Sequence, residues 1–217
     1  MNTYIYWEGL VPSAIQRCIN SWGNTKVIRI DDKNYLNHIE PRFHEPLSRL
    51  RANLGSGAHG IAGIPFFTDA LRLALLISNG GRWCDASLFL INDCLTSVEQ
   101  DQVLLFQNPG EDRSISSWFI AVSQPRNRYL ELWFAELMKK IDSGFIACYP
   151  EHSRFVRFLT VIKKYHWLHR APILGLHSRG HYFQLHYTWD YLRRRGYIEP
   201  SIVISGSFDA KVAHKIS

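Results

Sequence analysis

The chain has 217 residues, of which 46% are hydrophobic and 20% are charged, and its formal net charge is +6. This length and balance fit one globular domain and exclude collagen-like, low-complexity and wholly disordered chains. The longest nearly uninterrupted apolar stretch, residues 71–77, falls well short of the roughly 20 residues that a membrane-spanning helix needs. The first residues do not pair a basic segment with an apolar one, so we expect a cytoplasmic protein without a secretory signal.

The first third of the chain predicts the start of an alternating α/β domain. Residues 4–7 form an aromatic and β-branched run that is typical of a strand, and residues 14–22 place apolar side chains at helical spacing. A second strand is predicted over residues 26–30. Residues 53–65 then hold four irregularly spaced glycines, which indicate a mobile loop rather than a glycine-rich phosphate cradle.

The next predicted helix carries two charges on an otherwise apolar body. Thr68 can cap its start, Asp69 lies in its first turn, and the pair Gly80 and Gly81 ends it. Asp69 and Arg72 share one face of a helix that is apolar enough to be buried, where unpaired charges would be costly. The two side chains therefore form a structural ion pair or face a polar site.

An acid also interrupts the strand-like run of residues 82–91. Two explanations fit Asp85 at this position. It can cap a turn at the end of a strand, or it can belong to a ligand or metal site at the carboxyl end of a sheet strand, where open α/β sheets bind ligands.

The cysteines and the basic residues leave further alternatives open. The four cysteines form no C-x-x-C pair, which favours buried thiols. Basic residues concentrate late in the chain, and with the aromatic residues among them they fit a nucleic-acid- or membrane-surface-binding module, or simply a solvated face. These residues are Arg154, Arg157, Lys163, Lys164, Arg170, Arg193, Arg194 and Arg195.

The two central segments together resemble a known family. Residues 68–72 (TDALR) and 80–87 (GGRWCDAS) are similar to the motif pair S/T-D-x-x-R and G-G-x-[YW]-x-D-x-[DST] of the capsular polysaccharide synthesis proteins. These proteins belong with the family 32 type of sugar-nucleotide glycosyltransferases. Residues 5–7 (IYW), with Gly9, Pro12, Cys18, Ile19, Ser21 and Trp22, resemble the opening strand and helix of the family. Residues 117–121 (SWFIA) and 182–187 (YFQLHY) resemble later family segments, so the resemblance covers about residues 4–192.

The resemblance implies a fold and an activity. The fold would be a single α/β domain of the GT-A type over residues 1–217, with a Rossmann-like mixed sheet flanked by helices. Residues 1–95 would form the nucleotide-sugar-binding half, and residues 96–217 the acceptor-side half with the C-terminal tail. The activity would be that of a retaining hexosyltransferase.

The implied substrates and location follow the family. The donor would be a nucleotide-diphosphate sugar, with UDP as the expected nucleotide. The acceptor would be a glycan or a lipid-linked saccharide in capsule or O-antigen synthesis. The resemblance implies no nucleic-acid partner, and it allows peripheral association with the inner membrane face.

The resemblance also implies roles for individual residues. Trp7 would stack on the nucleobase, and Asp69 and Arg72 would hold the donor sugar. Asp85 would contact the ribose and the metal-diphosphate group, so the predicted catalytic residues are Asp85, Asp69 and Arg72. The full predicted donor-binding set is Trp7, Asp69, Arg72, Gly80, Gly81, Asp85, Ser87 and Ser117.

Two departures from the family pattern concern the metal and the donor. Ser87 stands where many relatives have a second carboxylate, which removes one hard metal ligand. Ser117 stands where the family usually has Asn, which puts an amide contact to the donor in question. We expect a divalent cation, Mn or Mg, bound mainly with the nucleotide sugar and held by Asp85, with His186 as a further candidate ligand. The alternative is a degenerate transferase that binds the donor but does not turn it over.

Overall fold

The computed structural model describes residues 1–52, 63–90, 98–99, 102–107, 115–142, 184–198, 203–204 and 213–215. The fold begins with strand β1 (Asn2–Tyr6), helix α1 (Ser13–Asn20) and strand β2 (Lys26–Ile30). The two strands pair in parallel over their full length. The strand, helix and strand predicted from the residue pattern are therefore confirmed.

Helices α2 and α3 follow two short 3-10 turns, Tyr35–His38 and Pro41–Phe43. Helix α2 spans His44–Ala52, and α3 spans Gly63–Asn79. The predicted start of α3 at Thr68 is wrong, because the buried side chains of Phe66 and Phe67 extend the helix toward its N-terminus. Asp69 thus lies inside α3 and not in its first turn. The other glycines of the predicted loop lie outside the described residues.

Gly80 and Gly81 turn the chain from α3 into strand β3 (Gly81–Cys84). Their φ angles are +66° and +94°, in the left-handed region that side chains rarely adopt. A Cβ on Gly80 would lie 2.8 Å from the backbone carbon of Gln124, and one on Gly81 would lie 2.7 Å from the carbonyl oxygen of Asn2. Both the backbone conformation and the close packing therefore require glycine, and the predicted helix end is confirmed.

The strand-like run after these glycines divides into two strands. Strand β3 ends at Cys84, residues 85–87 turn the chain, and strand β4 (Leu88–Leu90) follows. The later strands are β5 (Val103–Gln107), β6 (Ile115–Val122), β7 (Val203–Ile204) and β8 (Ala213–Lys215). Strand β4 pairs with β8 in a separate antiparallel sheet.

Among the described residues, the main sheet has six strands in the order β2-β1-β3-β6-β5-β7. Strands β1, β2 and β3 are parallel, and β6 runs antiparallel between β3 and β5. Helices α4 (Arg128–Asp142) and α5 (Gln184–Arg194) complete the described helices. This mixed sheet flanked by helices confirms the predicted fold class.

Neighbouring residues of the central strands supply two buried clusters on opposite faces of the sheet. Trp83 of β3 joins the larger cluster, which includes side chains of α2, α3, α4 and α5. Cys84 joins the smaller cluster, with Ile5 of β1 and Trp22. In the described part of the chain, no helix combines the length and apolarity needed to cross a membrane.

Candidate functional site

The carboxyl ends of β1, β2 and β3 meet at one edge of the sheet, because these strands are parallel. Trp7 follows β1 directly, Asp31 follows β2, and Asp85 follows β3. Such an edge is where open α/β sheets bind ligands. The fold thus brings Trp7 and Asp85, from separate predicted motifs, to the same edge.

Asp85 lies in the turn that ends β3. Its backbone N–H donates to the carbonyl of Trp118 on β6 at 2.8 Å, and its carbonyl accepts from the N–H of Leu88 at 2.9 Å. The side chain of Asp85 is 25% exposed. The predicted strand-end turn is therefore confirmed, and the carboxylate is also accessible enough to meet a ligand.

Arg72 joins helix α3 to strand β6. Its Nη2 lies 2.9 Å from Oδ1 of Asp69, and its Nε donates to the carbonyl of Thr68 at 3.2 Å. Its Nη1 donates to the backbone carbonyl of Ser117. The side chains of Arg72 and Asp69 are only 7% and 6% exposed. The buried ion pair that the sequence allowed is therefore present.

Arg72 also faces β3. The carbon of its guanidinium lies 5.0 Å from the centre of the Trp83 ring, a cation–π contact. Its Nη1 lies 4.0 Å from Oδ1 of Asp85, and the indole N–H of Trp83 donates to the same oxygen at 3.1 Å. The structure thus brings Asp69, Arg72 and Asp85 together, with Trp83 between them.

The pKa of Asp69 is raised to about 7. Burial, which disfavours the charged form, is the largest cause. The Arg72 guanidinium opposes this rise, whereas the negative charge of Asp85 adds to it. Asp69 is therefore a carboxyl group that takes up a proton near neutral pH.

Trp7 is half-buried and lies outside both buried clusters. Its backbone N–H donates to the carbonyl of Ile30 at 3.0 Å, and its indole N–H donates to the carbonyl of Leu10 at 3.1 Å. Arg29 donates to the carbonyls of Trp7 and Gly9. The ring is thus fixed at the sheet edge with part of its surface accessible.

Sequence reasoning missed Arg51, at the end of α2. Its guanidinium lies 2.9 Å from Glu8 and also pairs with Asp32, so it joins the loops that follow β1 and β2. It further lies over the ring of Phe67, 5.6 Å from the ring centre. The available sequence signal was an acid shortly after each strand, Glu8 after β1 and Asp32 after β2. That both acids pair with Arg51 depends on tertiary packing, which the sequence pattern does not contain.

The structure does not bring every predicted donor-binding residue to this edge. Gly80 and Gly81 lie at the amino end of β3, opposite the Asp85 end, where they reverse the chain, and their role in donor binding stays a prediction. Ser87 is half-buried in the turn after Asp85. Ser117 contacts Arg72 through its backbone carbonyl.

His186 is the remaining predicted metal ligand. It is buried on α5, a helix that packs against α4 and β6. Within the described ranges, no group of three or more His, Cys, Asp or Glu side chains is placed to hold a metal ion. Asp85 supplies one accessible carboxylate, which fits a cation shared with the phosphates of a ligand.

The basic residues that suggested a binding module are described only in part. Arg193, Arg194 and Arg195 are exposed at the end of α5. Arg195 lies over the ring of Tyr191, 5.7 Å from its centre. The basic residues between positions 154 and 170 lie outside the described residues.

A family model described as "Capsular polysaccharide synthesis protein" matches residues 4–209. A solved structure described as "PaToxG Glycosyltransferase" is 12% identical with a TM-score of 0.53, covering 91% of this chain and 88% of that chain. A second solved structure, described as a transferase mutant, is 11% identical with a TM-score of 0.37, covering 77% and 88%. At this identity the first likeness shows a shared fold. The comparison with curated proteins gave no match.

Proposed function

Since the chain belongs to the capsular polysaccharide synthesis protein family, we propose that it is a retaining glycosyltransferase. It transfers a hexose-type sugar from a nucleotide-diphosphate sugar, with UDP as the nucleotide, to a glycan or lipid-linked saccharide acceptor. The fold shared with a glycosyltransferase structure supports this proposal. The product is a cell-surface polysaccharide of the capsule or O-antigen kind.

One observation carries the proposal. The accessible carboxylate of Asp85 lies at the carboxyl edge of the parallel strands, beside the buried pair of Asp69 and Arg72. A purely structural ion pair does not require a third, partly exposed acid at 4.0 Å from the same guanidinium. The arrangement is suited to a ligand that carries both sugar hydroxyls and phosphates.

Each residue then has a proposed part in donor binding. Trp7 stacks on the nucleobase from the end of β1. Asp85 contacts the ribose and the diphosphate, while Asp69 and Arg72 form the wall of the sugar subsite. The departing diphosphate gains negative charge, which the site must balance.

A divalent cation, Mn or Mg, is the proposed partner of Asp85 at the diphosphate. When bound, such a cation neutralises charge on the phosphate oxygens. Because Asp85 is one carboxylate and Mg or Mn shares its shell with phosphates and water, we expect the protein alone to bind the cation weakly. Calorimetric titration of Mn should therefore show measurable binding only when UDP is present, and tight binding without UDP would contradict this.

The location of the reaction is also part of the proposal. A lipid-linked acceptor would be reached from the cytoplasm, with the protein at or near the inner membrane face. Sedimentation with vesicles that contain anionic lipid, compared with neutral vesicles, tests this association. Equal recovery in the supernatant of both mixtures would contradict it.

The Asp85→Asn variant tests the proposed function. It keeps the shape of the side chain and removes the charge, so we expect sugar release from UDP-sugars to fall by about a hundredfold or more with the fold intact. Asp142→Asn is the matched control, because this acid forms an exposed ion pair with Arg49 on the surface. Normal turnover by folded Asp85→Asn would end the assignment of this site.

A panel of nucleotide diphosphates and nucleotide sugars identifies the donor. A ligand at about 100 times its dissociation constant adds roughly 2.7 kcal/mol to stability, which a thermal melt detects. We expect UDP and a UDP-sugar to raise the melting temperature of the wild type. Binding without turnover would instead favour the degenerate transferase.

A further inference from the structure

We infer that Trp83 is a positioning residue for Asp85. The indole N–H of Trp83 holds the Asp85 carboxylate in the orientation needed to share a cation with a bound nucleotide. The inference rests on the proposed function, since it concerns the same carboxylate. No role for Trp83 follows from the spacing of charges in the sequence. Three observations support it.

The first observation is that the backbone of Trp83 is held on both sides. It pairs with Tyr4 of β1 in parallel and with Ile120 of β6 in antiparallel register. The side chain is 2% exposed and belongs to the larger buried cluster. The indole therefore has a defined position relative to the end of β3.

The second observation is that both the face and the N–H of the Trp83 indole make polar contacts. Its face lies under the Arg72 guanidinium, and its N–H points to Oδ1 of Asp85 at 3.1 Å. Nη1 of Arg72 is 4.0 Å from that same oxygen. The N–H and the positive charge thus converge on one carboxylate oxygen from the buried side of the turn.

The third observation is the exposure of the acid. Asp85 is 25% exposed in a turn, and the terminal torsion of an aspartate side chain has a broad distribution of angles. A hydrogen bond from a donor fixed in the core defines the carboxylate plane and the direction of its other oxygen. Preorganisation of this kind lowers the cost of orienting a ligand or a cation.

The test compares two variants that lose the same donor group. Trp83→Phe keeps an aromatic ring in the core and removes the indole N–H. We expect Mn binding in the presence of UDP to weaken roughly 10- to 100-fold by calorimetry. We expect the affinity for UDP without metal to fall less than the affinity for Mn, because the proposed stacking of the nucleobase on Trp7 does not depend on Asp85.

Trp133→Phe is the matched control. Trp133 is buried on α4, and its indole N–H donates to the carbonyl of Leu185 at 2.8 Å and to Oγ1 of Thr188 at 3.0 Å. This variant loses at least as many buried hydrogen bonds, so it measures the general effect of a weakened core. An equal loss of Mn binding in the two Phe variants would overturn the inference.

A second substitution separates the donor from the size of the ring. Trp83→Tyr carries a hydroxyl donor on a ring close in size to that of Phe, so we expect it to bind Mn more tightly than Trp83→Phe. Equal weakening in both would show that ring size matters instead, and would overturn the inference. If Trp83→Phe gives too little folded protein for calorimetry, the rise in melting temperature on adding Mn and UDP is compared between the two variants instead.

Asp85→Asn, measured alongside, distinguishes the two proposals. If Asp85→Asn leaves Mn binding unchanged, the proposed function fails and the role of Trp83 fails with it. If Asp85→Asn weakens Mn binding and Trp83→Phe does not, only the role of Trp83 is overturned. If the inference holds, Trp83→Phe has little further effect in the Asp85→Asn background, as a double-mutant cycle would show.

Discussion

Arg72 of helix α3 donates a hydrogen bond to the backbone carbonyl of Ser117 on strand β6. The contact does not use the Ser117 hydroxyl, so the side chain at this position can change without breaking the link. Arg72 is buried, and its partner Asp69 is buried with it. The pair thus acts as a bridge between a helix and the sheet, whatever it does for a ligand.

The first prediction concerns this bridge. Above about pH 7, where Asp69 is ionised, Arg72→Ala leaves this buried carboxylate without its cation, so we expect the free energy of unfolding to fall there by about 3–5 kcal/mol. Ser117→Ala keeps the carbonyl and should change it by less than about 0.5 kcal/mol. Urea denaturation measures both. A larger loss for Ser117→Ala than for Arg72→Ala would contradict the contact described.

The same variants separate a structural role from a donor-binding role. If Asp69 and Arg72 only stabilise the fold, Asp69→Ala and Arg72→Ala lower the melting temperature and leave the affinity for UDP-sugar unchanged. If they form the sugar subsite as proposed, the affinity for UDP-sugar falls while that for UDP alone does not. Calorimetry with the two ligands distinguishes these outcomes.

The second prediction concerns pH. The pKa of Asp69 is about 7 in the folded protein against an ordinary value of 3.8, so between these values the folded state holds a proton that the unfolded state has lost. Protonated Asp69 therefore contributes stability below about pH 4, and this contribution is lost as the pH rises through about 7. We expect wild type to lose stability relative to Asp69→Asn over this range, by at most a few kcal/mol.

Urea denaturation of both proteins at several pH values measures this difference. Groups common to the two proteins cancel in the comparison, and Asp142→Asn, an exposed acid, should show no such trend against wild type. A wild type that gains stability relative to Asp69→Asn as the pH rises would mean that the ionised pair with Arg72 outweighs the cost of burial.

The third prediction concerns the two glycines. Gly80→Ala and Gly81→Ala should each destabilise the protein by more than Gly23→Ala does. Gly23 has a φ of +65° but open space around its Cβ position, so Gly23→Ala carries only the backbone strain of about 1–2 kcal/mol. The other two add a clash with backbone atoms. Urea denaturation ranks the three variants, and equal losses would contradict the packing described.

Those glycine variants also test the predicted role of Gly80 and Gly81 in donor binding. Gly80 and Gly81 lie at the opposite end of β3 from Asp85, so the folded fraction of each variant should bind UDP-sugar like wild type. A loss of affinity without a loss of stability would instead support their predicted role in donor binding.

The fourth prediction concerns Trp7. Stacking of a base on an aromatic ring is worth about 1–3 kcal/mol, so Trp7→Ala should weaken UDP binding by about 5- to 150-fold. Since Trp7 is half-buried and outside the core clusters, we expect a smaller loss of stability than for Trp133→Ala. A large loss of stability with unchanged affinity would show that Trp7 serves the core instead.

Much of the first half of the fold could be predicted from residue patterns. The aromatic run of β1 and the spacing of α1 are local signals, and the structure confirms both. The helix that carries Asp69 and Arg72 was also predictable from its apolar body. The pairing of the two residues was predictable as well, because two charges on one face of a buried helix need partners. The position of Asp85 at the end of a strand followed from an acid in an apolar run.

The rest depends on packing that a residue pattern does not contain. The start of α3 was missed because Phe66 and Phe67 extend the helix through burial in the core. Gly80 and Gly81 are near Asp85 in sequence, but they lie at the amino end of strand β3 whereas Asp85 follows its carboxyl end. Arg51 was missed because its acids come from two loops that only the parallel pairing of β1 and β2 brings together.

The position of β6 has a consequence for the order in which the protein is made. This strand supplies the carbonyls of Ser117 to Arg72 and of Trp118 to Asp85, and it covers the edge of β3. A nascent chain that ends near residue 95 lacks both acceptors, so residues 1–95 alone cannot form these two hydrogen bonds. Strand β6 must therefore be synthesised before Arg72 and Asp85 can make the contacts that hold them beside β3.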